Sequence, residues 1–249
     1  MDYAVNRERI GAAGRRARLI FEADSAAWGM RLRPALLLAA APVLVAVFVA
    51  AAHLVKPLYR FLTAEDSVLE WSQVICLAGA VVLLGLTARI LLQRHEWLWA
   101  ALFAGGALAA ILVVGEEISW GQRLFAIATP EGFQEVNNQG EINLHNVRGV
   151  LKPLNFAVML GAGLGFALPI VVAGAQELGR RVPSLVYRVV PPLALVTAFA
   201  IPFAYRFWRF IRAGGSSGSY AEVVEFILYF GLIAFAFLLH RRIAAEGRK

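Results

Sequence analysis

Charge is what this sequence has little of. Asp, Glu, Lys and Arg make up 16% of its 249 residues, against about 25% in an ordinary soluble domain. The charges leave long stretches untouched, and hydrophobic residues reach 59%, above the usual ~45–50%. A soluble globular domain is excluded, and a polytopic membrane protein remains. Cysteine is nearly absent: Cys76 alone excludes an intramolecular disulfide. No internal repeat and no low-complexity tract is visible. The net charge is +7, but no separate basic domain could grip a duplex. That charge points to membrane lipids and anionic headgroups, not to nucleic acid.

Six uncharged runs are long enough to form spans: Pro34–Ala52, Trp71–Ala88, Leu98–Gly115, Pro153–Gln176, Val189–Tyr205 and Phe226–Leu239. The last is short of the ~20 residues a crossing needs, so it must extend backwards through Glu225 and Glu222. The expected fold is all-α, a six-helix membrane bundle. With the N-terminus cytoplasmic, inside segments hold 16 Lys and Arg and outside segments 8. That bias puts both termini in the cytoplasm, by the excess of positive charge on inner loops. Residues 1–33 mix arginines with Leu19, Ile20, Phe21 and Trp28, which reads as a basic amphipathic helix on the inner leaflet. It is too long in charge, and its following run too long in apolar residues, for a cleavable signal peptide. Residues 34–240 form the membrane domain, and 241–249 a basic tail.

The connection 119–152 is the one loop of size. It carries "ISWGQRLF" and "INLHNV", too aromatic and patterned for disorder, and loops this long inside a bundle are commonly functional. In "TPEGF" the spacing predicts a short helix capped at Thr129 with Pro130 in its first turn. Small residues in "FAGGALAA" and "LGAGLGFAL" suit close helix approach.

The acids are unevenly placed. Ten of 17 fall on the expected outer side. Glu70, Glu116, Glu222 and Glu225 lie at or inside the hydrophobic boundary, where each costs ~2.5–3.5 kcal/mol on insertion scales. Asp66, Glu70 and Gln73 share one helical face; so do Glu116, Ser119 and Arg123; Ser219, Glu222, Glu225 and Tyr229 make a seam. Adjacent helical residues diverge by about 100°, so Glu116 is expected to point into the bundle and Glu117 towards a neighbouring helix or the loop. If the chain after Gly140 is helical, Glu141 and His145 face one way at metal-ligand spacing. The expected catalytic set is Glu116, Glu117, Glu141 and His145, with Glu70 and Glu225 close by. Glu116, Glu141 and His145 are the expected metal ligands, suited to a divalent ion such as Zn. Helix termination, capping and ion pairing are the bland alternatives for the same residues. Substrate contacts would come from Arg123, Asn143, Asn146 and from Arg206, Arg209 and Arg212, where "YRFWRFIR" sets three arginines in helical register. These three bind an anionic headgroup or pair with the outer acids.

"GEEISWGQR" followed by "NNQGEINLHN" resembles a family of bacterial multi-pass membrane proteins, which implies a helical bundle in the bacterial cytoplasmic membrane and no particular activity. The acids with a Ser/Asn element are also similar to ceramidase-type membrane hydrolases, which implies metal-assisted hydrolysis inside a bundle. The function expected is an enzyme acting on lipid or a lipid-linked substrate at the outer leaflet. The alternatives are a proton- or ion-coupled transporter and a non-catalytic accessory subunit.

Overall fold

The computed structural model describes residues 2–64, 66–137, 140–144, 147, 149–212 and 220–246, with the side chains of 2–11 and of Arg123 left aside. Ten α-helices are described: α1 (Asp2–Ala27), α2 (Leu32–Ala52), α3 (Lys56–Thr63), α4 (Val68–Gln93), α5 (Trp97–Glu117), α6 (Gln122–Phe125), α7 (Glu131–Val136), α8 (Leu151–Glu177), α9 (Val196–Ile211) and α10 (Tyr220–Glu246). Among the described residues there is no strand, only one isolated antiparallel bridge between Asn137 and Val147. Six helical segments are long and apolar enough to cross a membrane. This is a multi-pass membrane protein, and helices suit it because they satisfy their own backbone hydrogen bonds in hydrocarbon.

The elements follow from local chemistry. Ser67 caps α4, its hydroxyl accepting from the Glu70 backbone N–H at 3.5 Å. The last helix does extend backwards through Glu225 and Glu222, to Tyr220. The fifth segment departs from its expected range. Pro191 and Pro192 lack the N–H a helix needs, so the chain passes through 3₁₀ turns at Ser184–Arg188 and Leu193–Leu195 before α9 begins at Val196. Thr129 does not cap α7. Pro130 stands at the cap position, and the Thr129 hydroxyl donates to Gly140 O at 2.7 Å.

The packing centre is α10, which lies against α4 and α9; α4 also packs on α5, and α9 on α8 and α2. Val223, Val224, Ile227, Leu239 and Ile243 of α10 are fully enclosed. Small residues allow this. A Cβ on Gly231 would sit 2.9 Å from that of Ala198, and one on Gly165 2.6 Å from the Phe199 ring, so these helices meet where only glycine fits. The outward faces carry Leu37, Leu44, Ile75, Leu98 and Val171, as hydrocarbon contact requires.

Six alternating segments leave both termini at one end. There Arg188 pairs with Glu96 and lies 3.4 Å from Glu246, while Arg242 stacks over Trp28 and Tyr187 and donates to Ala27 O. Asp24 of α1 accepts from Leu193 N at 2.8 Å. The N-terminal helix is thus docked on the bundle through its C-terminal turns. The opposite end holds most of the acids.

Candidate functional site

The acid-rich end is shaped by a break in the chain after α5. Ser119, Trp120 and Ala126 have positive φ (47°, 54° and 51°), alongside Gly121 at 81°. Such backbone costs of order 1–3 kcal/mol per non-glycine residue and persists only where its surroundings hold it. Trp120 folds back over Gly115, where a Cβ would meet its ring at 2.9 Å. Its Nε1 donates to Glu116 Oε1 at 2.8 Å. The helical register expected to align Glu116, Ser119 and Arg123 is therefore lost.

The break overturns the inward placement expected of Glu116, while Glu117 faces a neighbouring helix, as its position one residue on expects. Glu116 turns to the loop, its Oε2 accepting from Leu144 N at 2.6 Å. Glu117 turns to the bundle, its Oε1 accepting from the Tyr229 hydroxyl at 2.9 Å.

A polar network staples the returning loop. The Ser119 hydroxyl donates to Glu141. Asn143 Nδ2 lies 3.1 Å from both Ser119 Oγ and Glu141 Oε2. Asn137 Nδ2 donates to Asn143 O and Oδ1 at 2.7 and 2.8 Å. Gln122 donates to Thr129 and accepts from Ile142 N at 2.6 Å. Ser119, Asn137 and Asn143 are all buried, so the network substitutes for the regular structure this loop lacks. Residues 141–144 are not helical, so the helix expected to begin after Gly140 does not form there. His145 and Asn146 lie outside the described residues, as does the Arg123 side chain. Among the described residues no group of three or more His, Cys, Asp or Glu is placed to hold a metal ion.

Inside the bundle the acids of three helices converge. Gln73 of α4 is fully buried, and its Nε2 donates to Glu222 O and Oε2 of α10 at 3.0 and 3.1 Å. Its Oε1 is buried without a partner, a place for a hydrogen-bond donor among carboxylates. Glu225, Glu222 and Glu70 all lie within electrostatic range of Glu117. Glu225 pairs with Arg206 at 2.8 Å, and Arg206 also donates to Asn155 of α8. The arginine cluster divides. Arg209 lies over Tyr205 and donates to its hydroxyl, and Arg212 sits 4.0 Å over Trp208.

Two spaces open beside these acids. A cleft of about 10 Å³ lies between Glu70, Trp71 and Asp66 on one side and Glu117, Ile118 and Leu124 on the other. An open recess of about 420 Å³ between α3 and α4 shares Asp66 and Trp71 with it, and adds Arg60, Phe61 and Val68. Spacing places Tyr229 on the polar seam of the last helix but does not join it to Glu117, and it points neither to the recess nor to Asn155. Asn155 could have been noticed as the polar residue in an apolar run, and α3 as a proline-led "KPLYRF" amphipathic turn. No family model, curated protein or solved structure matches this chain.

Proposed function

We propose that this protein is a membrane-embedded hydrolytic enzyme acting on lipid or a lipid-linked substrate at its acid-rich end. We place that end on the outer face of a bacterial cytoplasmic membrane, with both termini inside, on the two-to-one bias of Lys and Arg towards the terminal end. One observation carries the functional reading: carboxylates from two helices, Glu70 and Glu117, flank a cleft of about 10 Å³ that adjoins an open recess. A space of that size seats about a single water.

A water between two carboxylates is the arrangement that hydrolysis needs. One carboxylate takes a proton as the water oxygen joins the carbonyl of an ester or amide. The second group, protonated, returns a proton to the departing alcohol or amine. Each such transfer contributes typically 10²–10⁴-fold. Glu70, in the first turn of α4, is assigned as the base, and Glu117, oriented by Tyr229 among the neighbouring carboxylates, as the proton donor. Glu116 and Glu141 are assigned to holding the loop over the site.

The test is turnover of a bacterial lipid extract by the full chain in nanodiscs, read by mass spectrometry. Wild type should release a product that Glu117→Gln and Glu70→Gln reduce by about 10² or more. Proton or ion flux in proteoliposomes without lipid turnover would replace this reading with transport.

A further inference from the structure

The recess between α3 and α4 has no role in the chemistry just assigned. Its volume, about 420 Å³, falls in the usual range for a small-molecule site, roughly 300–1,000 Å³. It lies at the first turn of α4, where the apolar span begins, and so at the level of lipid headgroups. Its wall is exposed and apolar: Phe61 is 65% exposed, Val68 44% and Trp71 41%. Aromatic rings at this level sit against the boundary between headgroup and chain.

The polar lining carries both signs. Arg60 and Asp66 line the same recess. A guanidinium recognises phosphate through paired N–H donors. A carboxylate has about four lone-pair positions, so Asp66 can accept from an ammonium beside the bonds it already makes. An anionic headgroup would satisfy Arg60 and be repelled by Asp66; a zwitterion satisfies both. A primary ammonium donates N–H bonds to a carboxylate, whereas a quaternary one has none to give.

We infer that the α3–α4 recess binds a phosphoethanolamine headgroup, its phosphate on Arg60, its ammonium on Asp66 and its chains along Phe61 and Trp71. This rests on the lipid reading above and names the headgroup class the site takes. Because the recess shares Asp66 and Trp71 with the carboxylate cleft, a lipid held there presents its upper linkages to Glu70 and Glu117.

The experiment measures retention apart from turnover. Full-length Glu117→Gln protein, unable to turn over lipid on this account, is reconstituted with equal phosphatidylethanolamine, phosphatidylcholine and phosphatidylglycerol. It is then stripped in detergent, and the lipid left on it is identified by native mass spectrometry. Phosphatidylethanolamine should be retained about tenfold over each of the others, a difference of ~1.4 kcal/mol. Adding Asp66→Asn should abolish its advantage over phosphatidylcholine. Asparagine also tolerates the positive φ of 57° found at Asp66, so the turn survives. Adding Arg60→Gln should lower retention of all three lipids. Equal retention by the parent protein, a preference for phosphatidylglycerol, or selectivity that survives Asp66→Asn would overturn the assignment. Retention without wild-type turnover leaves the recess standing and removes the hydrolase. Turnover without headgroup preference does the reverse.

Discussion

Tyr229 of α10 donates its hydroxyl to Glu117 of α5 at 2.9 Å, and this bond aims a carboxylate at the cleft it shares with Glu70. The next residue along the chain, Ile118, lies outside the helix, so Glu117 is the last side chain α5 can direct inwards. If the bond positions Glu117, Tyr229→Phe and Glu117→Gln should couple. Thermal unfolding of both singles and the double in detergent should show non-additivity of about 0.5–3 kcal/mol. Strict additivity would mean that the two side chains act independently.

The loop network makes a separate prediction. Asn143 is buried and joins Asn137, Ser119 and Glu141. Replacing it with alanine strands buried polar partners, at about 1–3 kcal/mol. Limited proteolysis within 126–142 should accelerate in Asn143→Ala. Glu116→Gln keeps one acceptor oxygen but sets an amide donor where the other stood, so one of the bonds from Trp120 and Leu144 is lost, and cleavage should accelerate less than in Asn143→Ala.

Arg206 is distinct from its neighbours. It is mostly buried, between Glu225 and Asn155, whereas Arg209 and Arg212 lie on aromatic rings. Removing one partner of a buried ion pair costs about 3–5 kcal/mol. Melting temperatures should fall steeply for Arg206→Gln and barely for Arg212→Gln. Equal, small losses in the two would contradict the division of roles.

Most of the fold was legible because hydrocarbon imposes it. Six apolar runs and the backward extension through Glu225 and Glu222 follow from length and charge alone. The convergence of Glu70, Glu222 and Glu225 was legible too, since helix ends and periodicity place them at one level. The fate of "GEEISWGQR" was not. Helical spacing assigns Glu116 to the bundle only while the helix continues. It stops at Glu117 because Trp120 folds onto Gly115 and the backbone turns through positive φ at Ser119. Nothing in residue spacing announces that break. The recess escaped for a similar reason: α3 is only eight residues long, below what a search for spans detects.

At the terminal end, Asp24 gives a pH dependence. Burial pushes its carboxyl up to about 6 from an ordinary 3.8, opposed by the Leu193 N–H and by Arg242. The docked state therefore holds the proton more tightly than the undocked one. The added docking stability is fully present below about pH 4 and is lost as pH rises through about 6, by up to ~3 kcal/mol. Hydrogen-exchange protection over residues 15–28, taken relative to the intrinsic exchange rate at each pH, should be greater at pH 5 than at pH 7.5. Asp24→Asn should flatten the difference, and an unchanged difference would assign it to another group.

The central claim is that water, activated between Glu70 and Glu117, cleaves a lipid. The direct measurement is turnover of the lipid extract in ¹⁸O-enriched water, with the released product resolved by mass. The account predicts one heavy oxygen in each molecule of released carboxylic acid, none in the released alcohol or amine, and no acid above background from Glu117→Gln. Acid formed without heavy oxygen, or formed and labelled equally by Glu117→Gln, would contradict it.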